Sequence, residues 1–195
     1  GRFPIDKVVM TGNPCGENAL KIKKISKSTY GFDNKKDLVL FVMGSLGAST
    51  VNDVIVNALP KFKNKDYQVL FVTGKEYYEK VKDLKTSKNV KIVPYVEGLS
   101  GLMKDTTLMV TRAGASTLSE ILSLNVPSIL IPLSLSLGAR FMAVCPPNWT
   151  ITPSGLSFSI IFIIFSMCIG SKKSLSATSK SVDNVSGFEL TINDL

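Results

Sequence analysis

Between residues 37 and 133 one alternation repeats: a short β-rich apolar run, then a stretch with helical spacing, then another apolar run. The runs are "DLVLFVM" (37–43), "YQVLFVTG" (67–74), "VKIVPYV" (90–96), "TTLMVT" (106–111) and "PSILIPL" (127–133). Nearly continuous apolar character, rather than strict alternation, fits strands buried on both faces, as in a parallel sheet. The spacing predicts helices between them. "ASTVNDVIVNALP" (48–60) places Val51, Val54, Ile55, Ala58 and Leu59 on one face and stops at Pro60. "KEYYEKVKDL" (75–84) is a charged helix with Glu76 and Lys80 as an i,i+4 pair. "LSGLMK" (99–104) and "STLSEILSL" (116–124) complete the set. Such βα units join through right-handed crossovers, so the fold class is α/β, a Rossmann-like doubly wound parallel sheet.

The flanks read differently. "VVMTGNP" (8–14) reads as a short strand ending in a turn. Residues 1–36 are read as an interdomain connector whose Lys-rich part, 21–36, stays outside the core. Residues 37–133 form the central domain. Residues 134–195 form an atypical tail of unassigned structure, with 12 Ser and only 7 charged residues among 62. Its apolar stretch "LSFSIIFIIFSMCI" (156–169) is shorter than the ~20 residues of a membrane-spanning helix. It reads first as a buried strand or helix, and second as a membrane span. A shifted reading frame is a third account of the tail.

Charge and composition narrow the partners. The net charge is +8, and residues 1–133 carry most of it, with 19 basic against 12 acidic groups. A basic surface favours anions such as nucleotide phosphates or an anionic membrane surface. No aromatic and basic interleaving marks a nucleic-acid module, so no nucleic acid is expected. Cys15, Cys145 and Cys168 form no CxxC, which argues against a zinc or disulfide framework. With no histidine, the commonest general base and metal ligand is missing. Neither a metal, nor a cofactor, nor a catalytic residue is assigned to this chain.

In a doubly wound sheet, ligands sit outside the carboxyl ends of the strands, where strand order reverses. For an order 3-2-1-4-5, that point lies between the first and fourth strands. The loops leaving them are "MGSLGAS" (43–49) and "TRAGAST" (111–117). Gly44 and Gly47 would let backbone approach a phosphate, and Ser45 would add a hydroxyl. The plainer account is a tight βα turn. Leu46 breaks the GxGxxG spacing, and no GK[ST] follows for a P-loop. The second strand ends in "TGKE" without the usual acidic ribose ligand at its tip, which argues against a nicotinamide dehydrogenase.

The second loop allows two accounts. Thr117 as N-cap and Glu120 three residues on fit a capping box. Alternatively, Glu120 accepts hydrogen bonds from the vicinal hydroxyls of a ribose, while Ser116, Thr117 and the helix N-terminus hold phosphates. Arg112 pairs with phosphate or with a neighbouring carboxylate. Both accounts stand at this level.

"TGNP" (11–14), "MGSLGA" (43–48), "PYVEGLSGLM" (94–103) and "TRAGASTLSE" (111–120) occur in the order and spacing of the MurG-type transferases. Residues 1–133 resemble the C-terminal, donor-binding half of these bacterial GT-B enzymes. The resemblance implies a fragment of an enzyme that moves N-acetylglucosamine from UDP-N-acetylglucosamine (UDP-GlcNAc) to undecaprenyl-pyrophosphoryl-muramyl pentapeptide in peptidoglycan synthesis. It implies Ser45 at the diphosphate and Val96 at the uracil through its backbone. It also implies a donor-binding run of Ala115, Ser116, Thr117, Leu118, Ser119 and Glu120, with Ala115 to Thr117 at the phosphates and Glu120 at the ribose. The lipid-linked acceptor would be held by an N-terminal domain, at the cytoplasmic face of the bacterial plasma membrane, as a peripheral enzyme. By itself the chain is expected not to turn over.

Three departures stand out. Gly16 occupies a position where the family usually has Arg, and Leu46 one where it usually has Gln. The segment "SLSLGARFMAV" (134–144) lacks the sugar-gripping Gln. Two other readings of the chain stand beside the first: a stand-alone UDP-sugar-binding subunit working with a separate membrane partner, and a non-binding remnant.

Overall fold

The computed structural model describes residues 7–9, 11–43, 49–131, 140–145, 173–182 and 185–194. Five parallel strands form its centre: β1 (Leu38–Val42), β2 (Gln68–Val72), β3 (Val90–Val93), β4 (Leu108–Arg112) and β5 (Ser128–Ile131). Their order is β3-β2-β1-β4-β5, the doubly wound arrangement with the switch between β1 and β4. Helices α1 (Pro14–Lys21), α2 (Ser49–Ala58), α3 (Lys75–Val81), α4 (Leu99–Met103) and α5 (Ala115–Leu124) precede or connect them.

β1, β2, β4 and β5 are buried on both faces, while the edge strand β3 is fully buried only at Val90, and the strand side chains divide between two apolar layers. Val39, Phe41, Val69, Phe71, Leu108, Val110, Ile129 and Ile131 pack with Val51, Ile55 and Ala58 of α2. The alternate residues Leu38, Leu40, Leu70, Val72, Met109 and Leu130 pack with Leu102 and Met103 of α4 and Ile121 of α5. This is the period-2 alternation of a strand, doubled because both faces are covered.

Several expectations need correction. Pro60 does not end the second helix. The chain tightens into a 3₁₀ turn, Leu59–Phe62, with Pro at its start, where its missing N–H costs nothing. The 75–84 helix ends at Val81, and Lys80 lies over the Tyr77 ring at 5.6 Å instead of pairing with Glu76. Val8 and Val9 belong to no strand and are exposed. After them the chain enters α1, with Pro14 in the first turn and Asn13 capping it by accepting from Cys15 N–H at 3.0 Å. The Lys-rich segment is not outside the core: Phe32 is buried in the layer that holds α4 and α5.

Beyond β5 the sheet continues with antiparallel strands β6 (Arg140–Cys145), β7 (Lys173–Val182) and β8 (Val185–Asp194), in the order β5-β6-β8-β7. The apolar stretch 156–169 lies outside the described residues. Among the described residues, no helix is long and apolar enough to cross a membrane.

Candidate functional site

At the switch point, Val42 of β1 is in register with Thr111 of β4. The segments leaving these two strands therefore start side by side at the carboxyl edge. The first, with Gly44, Ser45 and Gly47, lies outside the described residues. The second is described throughout. Arg112, half-buried, ends β4, and Gly114 N–H donates to the Arg112 carbonyl at 2.9 Å, folding the chain sharply into α5.

The start of α5 overturns the capping-box account. Gly114, in extended conformation (φ −91°, ψ 143°), is the N-cap, and among the described residues no side chain caps the helix. Thr117 lies inside the first turn, so it cannot be the cap. The first backbone helical bond runs from Leu118 N–H to Gly114 O at 2.9 Å. The N–H groups of Ala115, Ser116 and Thr117 precede it and are those an α-helix cannot satisfy internally. Ala115 and Ser116 are exposed. The aligned dipoles of α5 add positive potential at this end, the electrostatics an anionic phosphate requires.

Glu120 does not reach back to the backbone of Thr117. It points to α4, where Ser100 Oγ donates to its Oε1 at 3.1 Å. Ser100 is buried at 5% exposure, while Glu120 is half-buried. The carboxylate therefore has one oxygen fixed from inside the protein and a flank towards solvent.

The remaining residues of the predicted donor run differ in their surroundings. Leu118 packs its side chain against the α4–α5 layer. Ser119 presents its carbonyl to α1 at Gly16. Val96, in the loop between β3 and α4, is 2% exposed and belongs to the same layer as Ile121. Its side chain is core, so only its backbone is left to meet a ligand. Val96, Ser100 and Glu120 thus lie on the face covered by α4 and α5. Gly98 takes the left-handed conformation (φ 65°) that turns this loop into α4.

Ser100 was not singled out by the sequence, although it lies within "PYVEGLSGLM". Its role depends on a contact 20 residues away that no local pattern encodes. The available signal is a hydroxyl inside an otherwise small and apolar helix.

A doubly wound parallel sheet flanked by helices defines a Rossmann-like unit, the class of fold that takes its ligands at the switch point. The chain belongs to the glycosyltransferase family 28 C-terminal domain family, whose model matches residues 38–137. It is 38% identical over 138 residues to the UDP-N-acetylglucosamine–N-acetylmuramyl-(pentapeptide) pyrophosphoryl-undecaprenol N-acetylglucosamine transferase of Leuconostoc citreum, covering 67% of this chain and 37% of that protein. The enzyme of the same name from Lactiplantibacillus plantarum is 40% identical over 137 residues, covering 67% of this chain and 38% of that protein. The chain thus spans less than two fifths of the length of these relatives. The crystal structure of Acinetobacter baumannii MurG aligns with a TM-score of 0.49 at 23% identity, over 69% of this chain and 38% of that one.

Proposed function

We propose that this chain is the donor-nucleotide half of a hexosyltransferase that moves N-acetylglucosamine from UDP-GlcNAc to a lipid-linked muramyl pentapeptide acceptor. The observation that carries the reading is Glu120, set in the second turn of α5 beside an uncapped helix start and oriented by Ser100. In this reading the ribose hydroxyls donate to Glu120, and the N–H groups of Ala115, Ser116 and Thr117 hold the diphosphate. The backbone of Val96 meets the uracil. Ser45, Gly44, Gly47 and Arg112 complete the phosphate side, while Leu118 and Ser119 support the run. The acceptor and the proton acceptor for its hydroxyl come from another domain. The enzyme works at the cytoplasmic face of the membrane as a peripheral protein, to which the net charge of +8 adds attraction for anionic lipid.

Titration calorimetry of UDP into the chain and its Glu120→Gln variant tests this reading. A hydrogen bond to a charged group contributes about 1.5–3 kcal/mol, roughly twice a neutral one. Losing that difference weakens UDP about five- to thirtyfold, with little change in melting temperature. Equal affinities would leave Glu120 as an α4–α5 tie and remove the reading's main support.

A further inference from the structure

We propose that Ser100 is a positioning residue for nucleotide binding: its buried hydroxyl holds the Glu120 carboxylate in the orientation that accepts the ribose hydroxyls, so that it sets the preference for ribose over deoxyribose. The inference rests on the donor-site reading of Glu120. Ser100 is 5% exposed, and its Oγ donates to Glu120 Oε1 at 3.1 Å across two elements. The bond is not a helix cap, because α4 begins at Leu99 after Gly98 and has no side-chain cap. Nor does α4, five residues long, hold itself in place by its own backbone. Its neighbours Leu102 and Met103 anchor it in the apolar layer beside Ile121 of α5. Gly101 holds it from the other side: its carbonyl accepts from Ile25 N–H at 2.9 Å, and a side chain there would meet the Lys23 carbonyl at 2.5 Å. The hydroxyl is thus presented from a rigid platform.

A glutamate has three rotatable bonds, and fixing them on binding costs entropy. A donor already engaged on Oε1 removes much of that cost and leaves Oε2 and the outer lone pairs for a cis-diol. The same contact joins the segment carrying Val96 to the helix carrying Glu120. Base and ribose recognition therefore share one support.

The test compares UDP with 2′,3′-dideoxy-UDP, which keeps the base and phosphates and lacks both hydroxyls, on the full 195-residue chain. Ser100→Ala is expected to weaken UDP about three- to tenfold while leaving dideoxy-UDP within about twofold. In a Glu120→Gln background, Ser100→Ala should add little, because the two residues act as one unit. Ser100→Cys keeps the side-chain shape, with a somewhat larger atom, but donates poorly, so it provides the same comparison should Ser100→Ala unfold the chain. Equal weakening of both ligands, or a lowered melting temperature with unchanged preference, would reduce Ser100 to a structural tie and overturn the inference. A wild-type chain that binds the two ligands equally, or binds neither, would remove the ribose role of Glu120 itself. That result would be read before any variant is made.

Discussion

Gly16 of α1 lies against the backbone of α5, so that a methyl group in place of its hydrogen would stand 3.0 Å from the carbonyl oxygen of Ser119 and would overlap Ser123 Oγ. The two helices approach this closely because one of them has no side chain there. α1 thus acts as an outer brace for α5, the helix that carries the proposed donor run.

Gly16→Ala should therefore destabilise the fold. Alanine gains up to about 1 kcal/mol of helix propensity over glycine. Overpacking against a backbone carbonyl costs about 1–3 kcal/mol, and the carbonyl cannot rotate away. The net loss should be about 1 kcal/mol in urea denaturation. Adding Ser123→Ala removes the movable half of the clash and should recover part of that loss. A Gly16→Ala chain more stable than wild type would show that α1 is free to shift away from α5.

Asp105 fastens the segment before β1 to the end of α4. Lys24 Nζ lies 2.6 Å from its Oδ1, and Lys27 N–H donates to its Oδ2 at 2.9 Å. Burial pushes its carboxyl pKa up, but the Lys24 hydrogen bond, the Lys27 backbone bond and the two lysine charges together outweigh it and hold the pKa below the ordinary aspartate value. A folded pKa below the unfolded one contributes stability that is complete above the unfolded pKa and is lost as pH falls through the folded one. Asp105→Asn should cost about 1–2 kcal/mol at neutral pH, through the lost ion pair. The gap between the two chains should narrow below about pH 4, where the ordinary aspartate titrates. Urea midpoints measured from neutral to acid pH check this, and a gap that stays constant would mean that the Asp105 charge contributes nothing.

The parallel strands were legible because their runs are nearly continuously apolar, which leaves few other ways to hide them, and only the edge strand β3 breaks the run, at Lys91. Their order followed from the doubly wound pattern, and with it the position of the switch. Ends were less legible, because apolar composition outlasts the hydrogen-bond ladder: β3 stops at Val93, while the apolar run continues to Val96, which is core without being strand. Phe32 was hidden by its surroundings. A single aromatic among lysines gives no period, and only the tertiary fold brings it into one apolar layer with Leu38 and Leu40. Glu120 shows a limit of another kind. Thr117-Leu-Ser-Glu120 is a sound capping-box pattern, but Gly114 starts the helix three residues earlier, so the box has no end to cap. The carboxylate is thereby released to Ser100, and the contact joins α4 to α5.

Asn52 of α2 poses the last test, because its two polar atoms are in unlike situations. It is 2% exposed. Its Nδ2 donates to the Thr73 carbonyl at 3.2 Å, which ties α2 to the end of β2, while its Oδ1 is buried without a hydrogen-bond partner among the described residues. Asn52→Ala removes a neutral hydrogen bond worth about 1 kcal/mol, but also an unpaired buried oxygen that costs about 1–3 kcal/mol. The two terms oppose each other, and the expected change is within about 1 kcal/mol. Asn52→Asp differs by one atom and should be far worse at neutral pH. It turns the donor into a charged oxygen facing a carbonyl, in a place where burial disfavours charge, and should cost about 3 kcal/mol or more. The new carboxyl would then have a folded pKa raised above its unfolded value. Its neutral form can donate to the Thr73 carbonyl, so the variant should be closest to wild type below about pH 4 and should lose stability as pH rises through the raised folded pKa. Urea denaturation of the three chains at pH 4 and pH 7 reads both effects. Asn52→Ala as damaging as Asn52→Asp at pH 7 would show that the Thr73 bond, and not the burial of charge, governs this position.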